Sequence, residues 1–176
     1  MNHTDHVHLL QPAGLNPGGI WADLGAGSGA FTLALRELLG AEAHIHAVDR
    51  DRPRLDELKQ AYLSRFGDLN KLHILAADFS HPLDLPPLDG VLMANSLHFF
   101  KDQQKLLRRV RDYLKPGGAL LLVEYNVDAG NPWVPYPLSF ESFRTLAPLA
   151  GFREPRLLAK RPSSFLHEFY SALSGA

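Results

Sequence analysis

The chain has 176 residues, 45% of them hydrophobic and 21% charged, which is typical of a folded globular protein of one domain. Eighteen Lys and Arg residues nearly balance nineteen Asp and Glu residues, so no net charge draws the chain to nucleic acid or to an anionic membrane. The absence of cysteine excludes disulfides, thiolate metal sites and cysteine nucleophiles.

Residues 1–19 form a polar extension that ends in the turn Asn16-Pro17-Gly18-Gly19. The extension has neither a basic start nor an apolar run, and no later apolar run is long enough to span a bilayer, so we expect a cytoplasmic protein without a membrane contact. His3, His6 and His8 lack further ligands at regular spacing, so no metal site is expected. The extension is interpreted either as a solvated terminus or as a short lid over a ligand.

A glycine turn follows the first apolar segment. A strand is predicted over 20–24, and it runs through Gly25, Gly27 and Gly29 into an amphipathic helix over 28–39 that stops at Gly40. A strand that enters a helix through a glycine turn builds a ligand site at the carboxyl end of the strand.

The remaining elements alternate between strands and helices. Strands are predicted over 44–48, 71–77, 90–94 and 119–125, and helices begin at Asp51, near Asp102 and at Ser139. Pro116-Gly117-Gly118 is expected to end the second of these helices. Two last strands, over 155–160 and 165–173, are separated by four residues, which suit a hairpin and are too few for a crossover. The order predicts one domain over 20–176, with a parallel sheet that ends in an antiparallel hairpin.

Several motifs occur in a recognisable order along the chain. They are Asp23-x-Gly25-x-Gly27-x-Gly29, Asp49, Asp78-Phe79, Asn95-Ser96-Leu97-His98, Leu114-Lys115-Pro116-Gly117-Gly118 and the closing hairpin. Together they resemble the class I S-adenosylmethionine-dependent methyltransferases, and 95–98 is similar to the small-molecule branch that includes ubiquinone-biosynthesis enzymes. The resemblance implies an α/β Rossmann-like three-layer sandwich, with a seven-stranded sheet of order 3-2-1-4-5-7-6 and strand 7 antiparallel.

The resemblance also implies S-adenosylmethionine as cofactor and S-adenosylhomocysteine as product. In the family, the Asp23 position orients the ammonium of the methionine part, Asp49 accepts the ribose hydroxyls, and Asp78 accepts from the adenine amino group. The implied cofactor-binding residues are Asp23, Gly25, Ala26, Gly27, Asp49, Arg50, Asp78, Phe79 and Asn95. Each acid also has a purely structural alternative to cofactor binding. Asp23 could accept N–H groups of the glycine turn, and Asp49 could simply be a polar strand end.

Methyl transfer is an in-line displacement that needs a base only if the acceptor must lose a proton. His98 follows a strand end closely and is the candidate catalytic base. The alternative is that it is a neutral histidine that hydrogen-bonds within the pocket wall. Glu124 and Tyr125 end the next strand and are candidate substrate contacts or a polar cap. Trp133 and Tyr136 lie in a proline-rich loop that either shapes the acceptor pocket or packs on the sheet.

Three other functions are weighed against a small-molecule methyltransferase. Gly25-x-Gly27-x-x-Ala30 also fits a nicotinamide-dependent oxidoreductase, but no Tyr-x-x-x-Lys pair or second domain accompanies it. A nucleic-acid base methyltransferase would carry Asn/Asp-Pro-Pro-Tyr/Phe where this chain has residues 95–98. The alternative that the chain is a non-catalytic module that binds the cofactor is not excluded by the sequence. We expect a small-molecule acceptor, no nucleic-acid partner, and an open acceptor site that a homodimer could complete.

Overall fold

The computed structural model describes all residues from Met1 to Ala176 and has a single seven-stranded sheet. The strands are β1 Ile20–Leu24, β2 His44–Asp49, β3 Leu72–Ala76, β4 Leu88–Ala94, β5 Leu114–Tyr125, β6 Arg156–Pro162 and β7 Glu168–Gly175. The α-helices are α1 His3–Leu10, α2 Ala30–Leu39, α3 Arg52–Phe66, α4 Gln103–Asp112 and α5 Phe140–Leu149. Short 3₁₀ turns cover Gln11–Ala13 and Leu97–Phe99.

The strand order β3-β2-β1-β4-β5-β7-β6 confirms the predicted fold. β1 to β5 pair in parallel, whereas β7 runs antiparallel to both β5 and β6. In register, Asp23 lies opposite Ala47, and Asp49 lies opposite Ala76. The carboxyl ends of the parallel strands therefore meet at one edge of the sheet.

Helices cover both faces of the sheet and bury two apolar clusters. α1, α2 and α3 pack on one face, around Leu35, Ile45 and Leu58, and α4 and α5 pack on the other. Four helices begin where a polar side chain accepts a backbone N–H of the first turn. For three of them the sequence predicts the start, at Asp51, Asp102 and Ser139. Parallel strands buried on both faces explain the continuous apolar runs of β4 and β5.

Two predicted boundaries are wrong. β5 begins at Leu114 instead of Ala119, because the backbone at Leu114 stays extended to pair with Leu88 across a register shift in β4. Pro116, Gly117 and Gly118 therefore lie inside a strand. The last hairpin is also shifted: its loop covers 163–167, where His167 adopts a positive φ, and Phe165 lies in that loop and not in β7.

The amino-terminal extension is ordered, which makes the solvated-terminus interpretation wrong. Asn2 and Asp5 form a reciprocal cap at the start of α1, and Leu9 and Leu10 are buried in the core. Its apolar residues are thus part of the domain, and the role of a lid stays a prediction. None of the helices combines the length and the apolar character needed to cross a membrane.

Candidate functional site: a two-lobed cleft at the carboxyl edge

Two adjoining cavities lie at the carboxyl edge of the sheet. The larger has a volume of about 540 Å³ and the smaller about 250 Å³, and both are lined by Gly25, Gly27, Arg54 and Asn95. All nine residues implied for cofactor binding line one cavity or the other: Asp23, Gly25, Ala26, Gly27, Asp49, Arg50, Asp78, Phe79 and Asn95. The structure therefore brings the whole predicted set together in one two-lobed cleft.

The glycine turn is fixed by the end of β2. Gly25 and Ala26 donate their N–H groups to the Val48 carbonyl at 2.8 and 3.0 Å. A Cβ at Gly25, which has a φ of +86°, would lie 2.5 Å from the Ser96 Cβ, so only glycine allows this approach. A Cβ at Gly27 would find only the Arg54 guanidinium within 4 Å, because this glycine faces the open cleft.

Three carboxylates line the larger lobe: Asp51 caps α3, and backbone N–H groups orient the other two, Asp49 and Asp78. Asp49 accepts from the N–H of Gly27 at 2.8 Å and from the N–H of Asp51 at 2.9 Å. Asp78 accepts from the Ser80 N–H at 2.8 Å. Burial opposes ionisation of Asp78, but the hydroxyl and N–H of Ser80 hold the pKa of its carboxyl below the ordinary value. Both side chains are thereby held as hydrogen-bond acceptors for a ligand.

The smaller lobe contains two buried oxygens that have no partner within the chain. Asp23 is 1% exposed, and its Oδ2 accepts from the Thr32 hydroxyl at 2.6 Å, while its Oδ1 has no hydrogen bond. Asn95 Oδ1 is equally unpartnered, and this residue adopts a φ of +53°. Because buried acceptors without a donor are costly, the lobe is suited to a ligand that donates hydrogen bonds.

Replacing Asp23 by asparagine should change how stability depends on pH. Burial raises the pKa of Asp23 from 3.8 to about 7; the Thr32 hydrogen bond opposes this and the Asp49 charge adds to it. Between these values the folded state holds a proton that the unfolded state has released, so the free energy of unfolding falls as pH rises. Asp23→Asn should remove this fall and raise stability above pH 7 by up to roughly 4 kcal/mol without ligand. Urea unfolding from pH 4 to pH 8 measures this, and parallel wild-type and variant curves would contradict it.

His98 and Glu124 form a buried pair beneath the rim of the cleft. His98 Nδ1 lies 2.7 Å from Glu124 Oε2, and Glu124 Oε1 accepts the N–H groups of Leu97 and His98. The two side chains are 3% and 0% exposed, and neither lines the two cavities. Donors from the 97–98 turn occupy the oxygens of Glu124, which favours the polar-cap alternative; a direct contact between Glu124 and substrate stays a prediction.

Aromatic side chains surround this pair on the outside and form what we call the aromatic rim: Phe99, Tyr125, Trp133, Tyr136 and Phe165. Trp133 is 70% exposed and Phe99 57% exposed, and Phe99 also lines the larger lobe. Tyr125 contacts Phe165 and His98, with ring centroids 6.0 and 6.1 Å apart. The loop with Trp133 and Tyr136 is tied to the site, because Tyr136 N–H donates to the His98 carbonyl at 3.0 Å.

Sequence reasoning missed several residues of the site. The sequence pattern places Phe165 in a strand, does not mark Arg54, and assigns His6 only to an extension that could form a lid, although Arg54 and His6 both line the cleft. Arg54 lies one turn beyond Asp51, the residue that caps the helix, which was a usable signal. His6 comes from α1, and its position depends on long-range packing.

A further cavity of about 420 Å³ lies at the opposite, amino-terminal edge of the sheet. Its charged residues are Asp89 and Lys115, which pair at 2.8 Å, and Asp89 also accepts the Ile20 N–H. Since these groups satisfy one another, nothing there calls for a ligand.

Comparison with known proteins decides the family. A family model described as a methyltransferase domain matches residues 22–120, which include the glycine turn, the three acids and the 95–98 motif. The chain belongs to the methyltransferase domain family. This membership agrees with the resemblance drawn from the motifs and with the strand order.

The alignments with individual relatives include most of this chain but only about half of each relative. An acetylserotonin O-methyltransferase of Mus musculus is 32% identical over 95% of this chain and 47% of its own length. A carboxy-S-adenosyl-L-methionine synthase of Pseudomonas putida is 37% identical over 69% of this chain and 51% of its own length. The methyltransferase domain described here thus spans about half the length of these relatives.

A solved structure supports the same fold. A phosphoethanolamine N-methyltransferase of Haemonchus contortus, solved with phosphomonomethylethanolamine and S-adenosylhomocysteine, has a TM-score of 0.77 and 17% identity. The match covers 98% of this chain and 52% of that one. At this identity the likeness concerns the fold alone.

Proposed function

We propose that this chain binds S-adenosylmethionine in the two-lobed cleft and transfers its methyl group to a small apolar molecule. The observation that carries the proposal is the convergence of the nine implied residues on one cleft that also contains two unpartnered buried oxygens. Both relatives bear names of enzymes that handle methyl groups or S-adenosylmethionine, and the solved neighbour binds S-adenosylhomocysteine.

The groups in the cleft fit the parts of this cofactor. The unpartnered Oδ1 atoms of Asp23 and Asn95 suit the ammonium group of a methionine moiety. Asp49 uses two of its roughly four acceptor positions on Gly27 and Asp51, which leaves room for ribose hydroxyls. Asp78, followed by the buried ring of Phe79, suits a flat base with an amino group. The smaller lobe thus corresponds to the methionine end and the larger lobe to the adenosine.

The chemistry leaves the chain with three tasks: binding, alignment and, for a hydroxyl acceptor, proton removal. When bound, the cofactor supplies an activated sulfonium methyl group. A carboxylate oxygen can only accept, so Glu124 fixes the hydrogen of His98 on Nδ1 and leaves Nε2 as the basic nitrogen. His98 is proposed as the base and Glu124 as the residue that positions it.

The acceptor is proposed to be a small molecule with a flat apolar face. The aromatic rim beside His98 presents the exposed rings of Phe99, Trp133 and Phe165, which favour stacking of a flat apolar molecule. A role for Trp133 and Tyr136 in acceptor binding, and a homodimer that completes this site, stay predictions.

Ligand-induced thermal stabilisation tests the proposed function against the oxidoreductase alternative. S-adenosylhomocysteine at 100 times its dissociation constant should raise the free energy of unfolding by about 2.7 kcal/mol, whereas NAD and NADP should not raise it. Stabilisation by NAD or NADP alone would refute the proposal. Release of S-adenosylhomocysteine in a screen of aromatic alcohols then tests transfer, and binding without any turnover would favour the non-catalytic module.

A further inference from the structure

The amino-terminal helix supplies one wall of the smaller lobe. Met1 and His6 line this cavity together with Asp23, Phe31 and Asn95. His6 is half-buried, and its ring packs against Phe31 with centroids 4.6 Å apart. An ionisable side chain from α1 thus stands in the same cavity as the unpartnered oxygens.

Contacts on three sides hold α1 in place. His3 Nε2 lies 2.8 Å from a Glu37 carboxylate oxygen of α2, and Asp5 pairs with Arg161 of β6 at 2.6 Å. The Leu9 carbonyl accepts the Ser171 hydroxyl of β7 at 2.6 Å. Because these bonds reach the sheet as well as α2, the packing of α1 sets the position of His6 at the wall of the smaller lobe.

The methionine end of the proposed cofactor carries a carboxylate beside its ammonium group. Asp23 and Asn95 offer acceptors for the ammonium, but an acceptor repels a carboxylate, so a donor is also needed. Besides the terminal amino group of the exposed Met1, two side chains of the smaller lobe can carry a positive charge, Arg54 and His6. Arg54 is exposed, lies 3.7 Å from Asp51 and lines both lobes, which places it where the lobes join.

We propose that His6 binds the carboxylate of the methionine moiety as an imidazolium, while the Asp23 carboxylate of the same lobe binds the ammonium. This inference rests on the proposed function, since it assigns one more contact to the same ligand. His6 and Asp23 then form a complementary pair for a zwitterion, and the specificity for the amino-acid end comes partly from α1.

Charges around both groups determine how binding couples to protons. Burial lowers the pKa of His6; the amino group of Met1, His3 and Arg161 add to this, and Asp5 opposes it. Asp23, with its pKa near 7, is partly protonated without ligand. Arg54 lines both lobes and adds a positive charge, and Asp49 in the larger lobe adds a negative charge that acts on Asp23. When the zwitterionic methionine end binds, His6 therefore takes up a proton and Asp23 releases one. The two proton changes offset each other, so the net number of protons bound or released near pH 7 is small.

Calorimetric titration of His6→Gln with two ligands tests this inference. S-adenosylhomocysteine carries the amino-acid end, whereas 5′-methylthioadenosine lacks it. We expect His6→Gln to weaken S-adenosylhomocysteine about tenfold or more, because a charge-assisted hydrogen bond is lost, and to leave methylthioadenosine within about twofold. His8→Gln, an exposed change on the same helix, is the matched control and should leave both affinities unchanged.

The pH dependence gives a second readout. In His6→Gln only Asp23 remains coupled, so affinity for S-adenosylhomocysteine should rise from pH 6 to pH 8 with net proton release, while the wild type changes less. Equal weakening of both ligands would overturn the inference, because it would mark His6 as a structural support. An unchanged affinity and proton count would overturn it too. If the wild type binds neither ligand, the proposed function itself fails, which is a different result.

Discussion

Replacing Asp49 by alanine is expected to weaken S-adenosylhomocysteine binding by about a hundredfold or more. Two charge-assisted hydrogen bonds to ribose hydroxyls are lost, each contributing about 1.5–3 kcal/mol. The N–H of Gly27, which donates to Asp49 at 2.8 Å, also loses its acceptor, so the glycine turn is held less firmly. Calorimetric titration measures the dissociation constant, and thermal unfolding without ligand separates lost binding from lost folding.

Two variants sharpen this result. Asp49→Asn keeps an oxygen that can accept the Gly27 N–H but removes the charge, so its affinity should fall between those of the wild type and Asp49→Ala. Asp56→Asn removes a charge from an exposed position of α3 and should bind like the wild type. A native-like Asp49→Ala protein with wild-type affinity would refute the assignment of Asp49 to the ribose.

The cleft was predictable because its residues are tied to strand ends. Asp23, Asp49 and Asp78 each occur at or just beyond a strand, and parallel strands bring their carboxyl ends to one edge whatever the loops do. The glycine turn was predictable for a similar local reason, since glycine is the residue that readily adopts the positive φ found at Gly25, Gly27 and Gly29. Local sequence patterns were therefore enough to predict most of the residues that line the proposed cofactor cleft.

The remaining features depend on contacts between distant parts of the chain. Glu124 looks like an exposed strand end, yet N–H groups 26 and 27 residues away satisfy it. Leu114 looks like the last turn of α4, yet pairing with Leu88 keeps it in β5. His6 enters the cleft only because α1 docks on α2 and β6. Such contacts between distant segments cannot be predicted from the local pattern of residues.

Glu124 can be changed so that the chemistry of His98 is altered while the fold is kept. In Glu124→Gln the amide oxygen can still accept the N–H groups of Leu97 and His98, which Glu124 Oε1 accepts at 3.1 and 3.2 Å. The amide NH₂ replaces the oxygen 2.7 Å from His98 Nδ1, and it can only donate. His98 must then carry its hydrogen on Nε2, where the proposed base needs a free electron pair.

For a hydroxyl acceptor identified by the screen, Glu124→Gln should therefore lower kcat about a hundredfold or more, which is the usual contribution of a general base. Affinity for S-adenosylhomocysteine should stay within about twofold, since Glu124 does not line the cleft. The ¹⁵N shifts of the His98 ring report the tautomer directly, and Glu141→Gln at an exposed position of α5 is the matched control. Unchanged turnover in a variant whose tautomer has switched would exclude His98 as the base. A loss of turnover without the tautomer change would place the role of Glu124 in the geometry of the 97–98 turn instead.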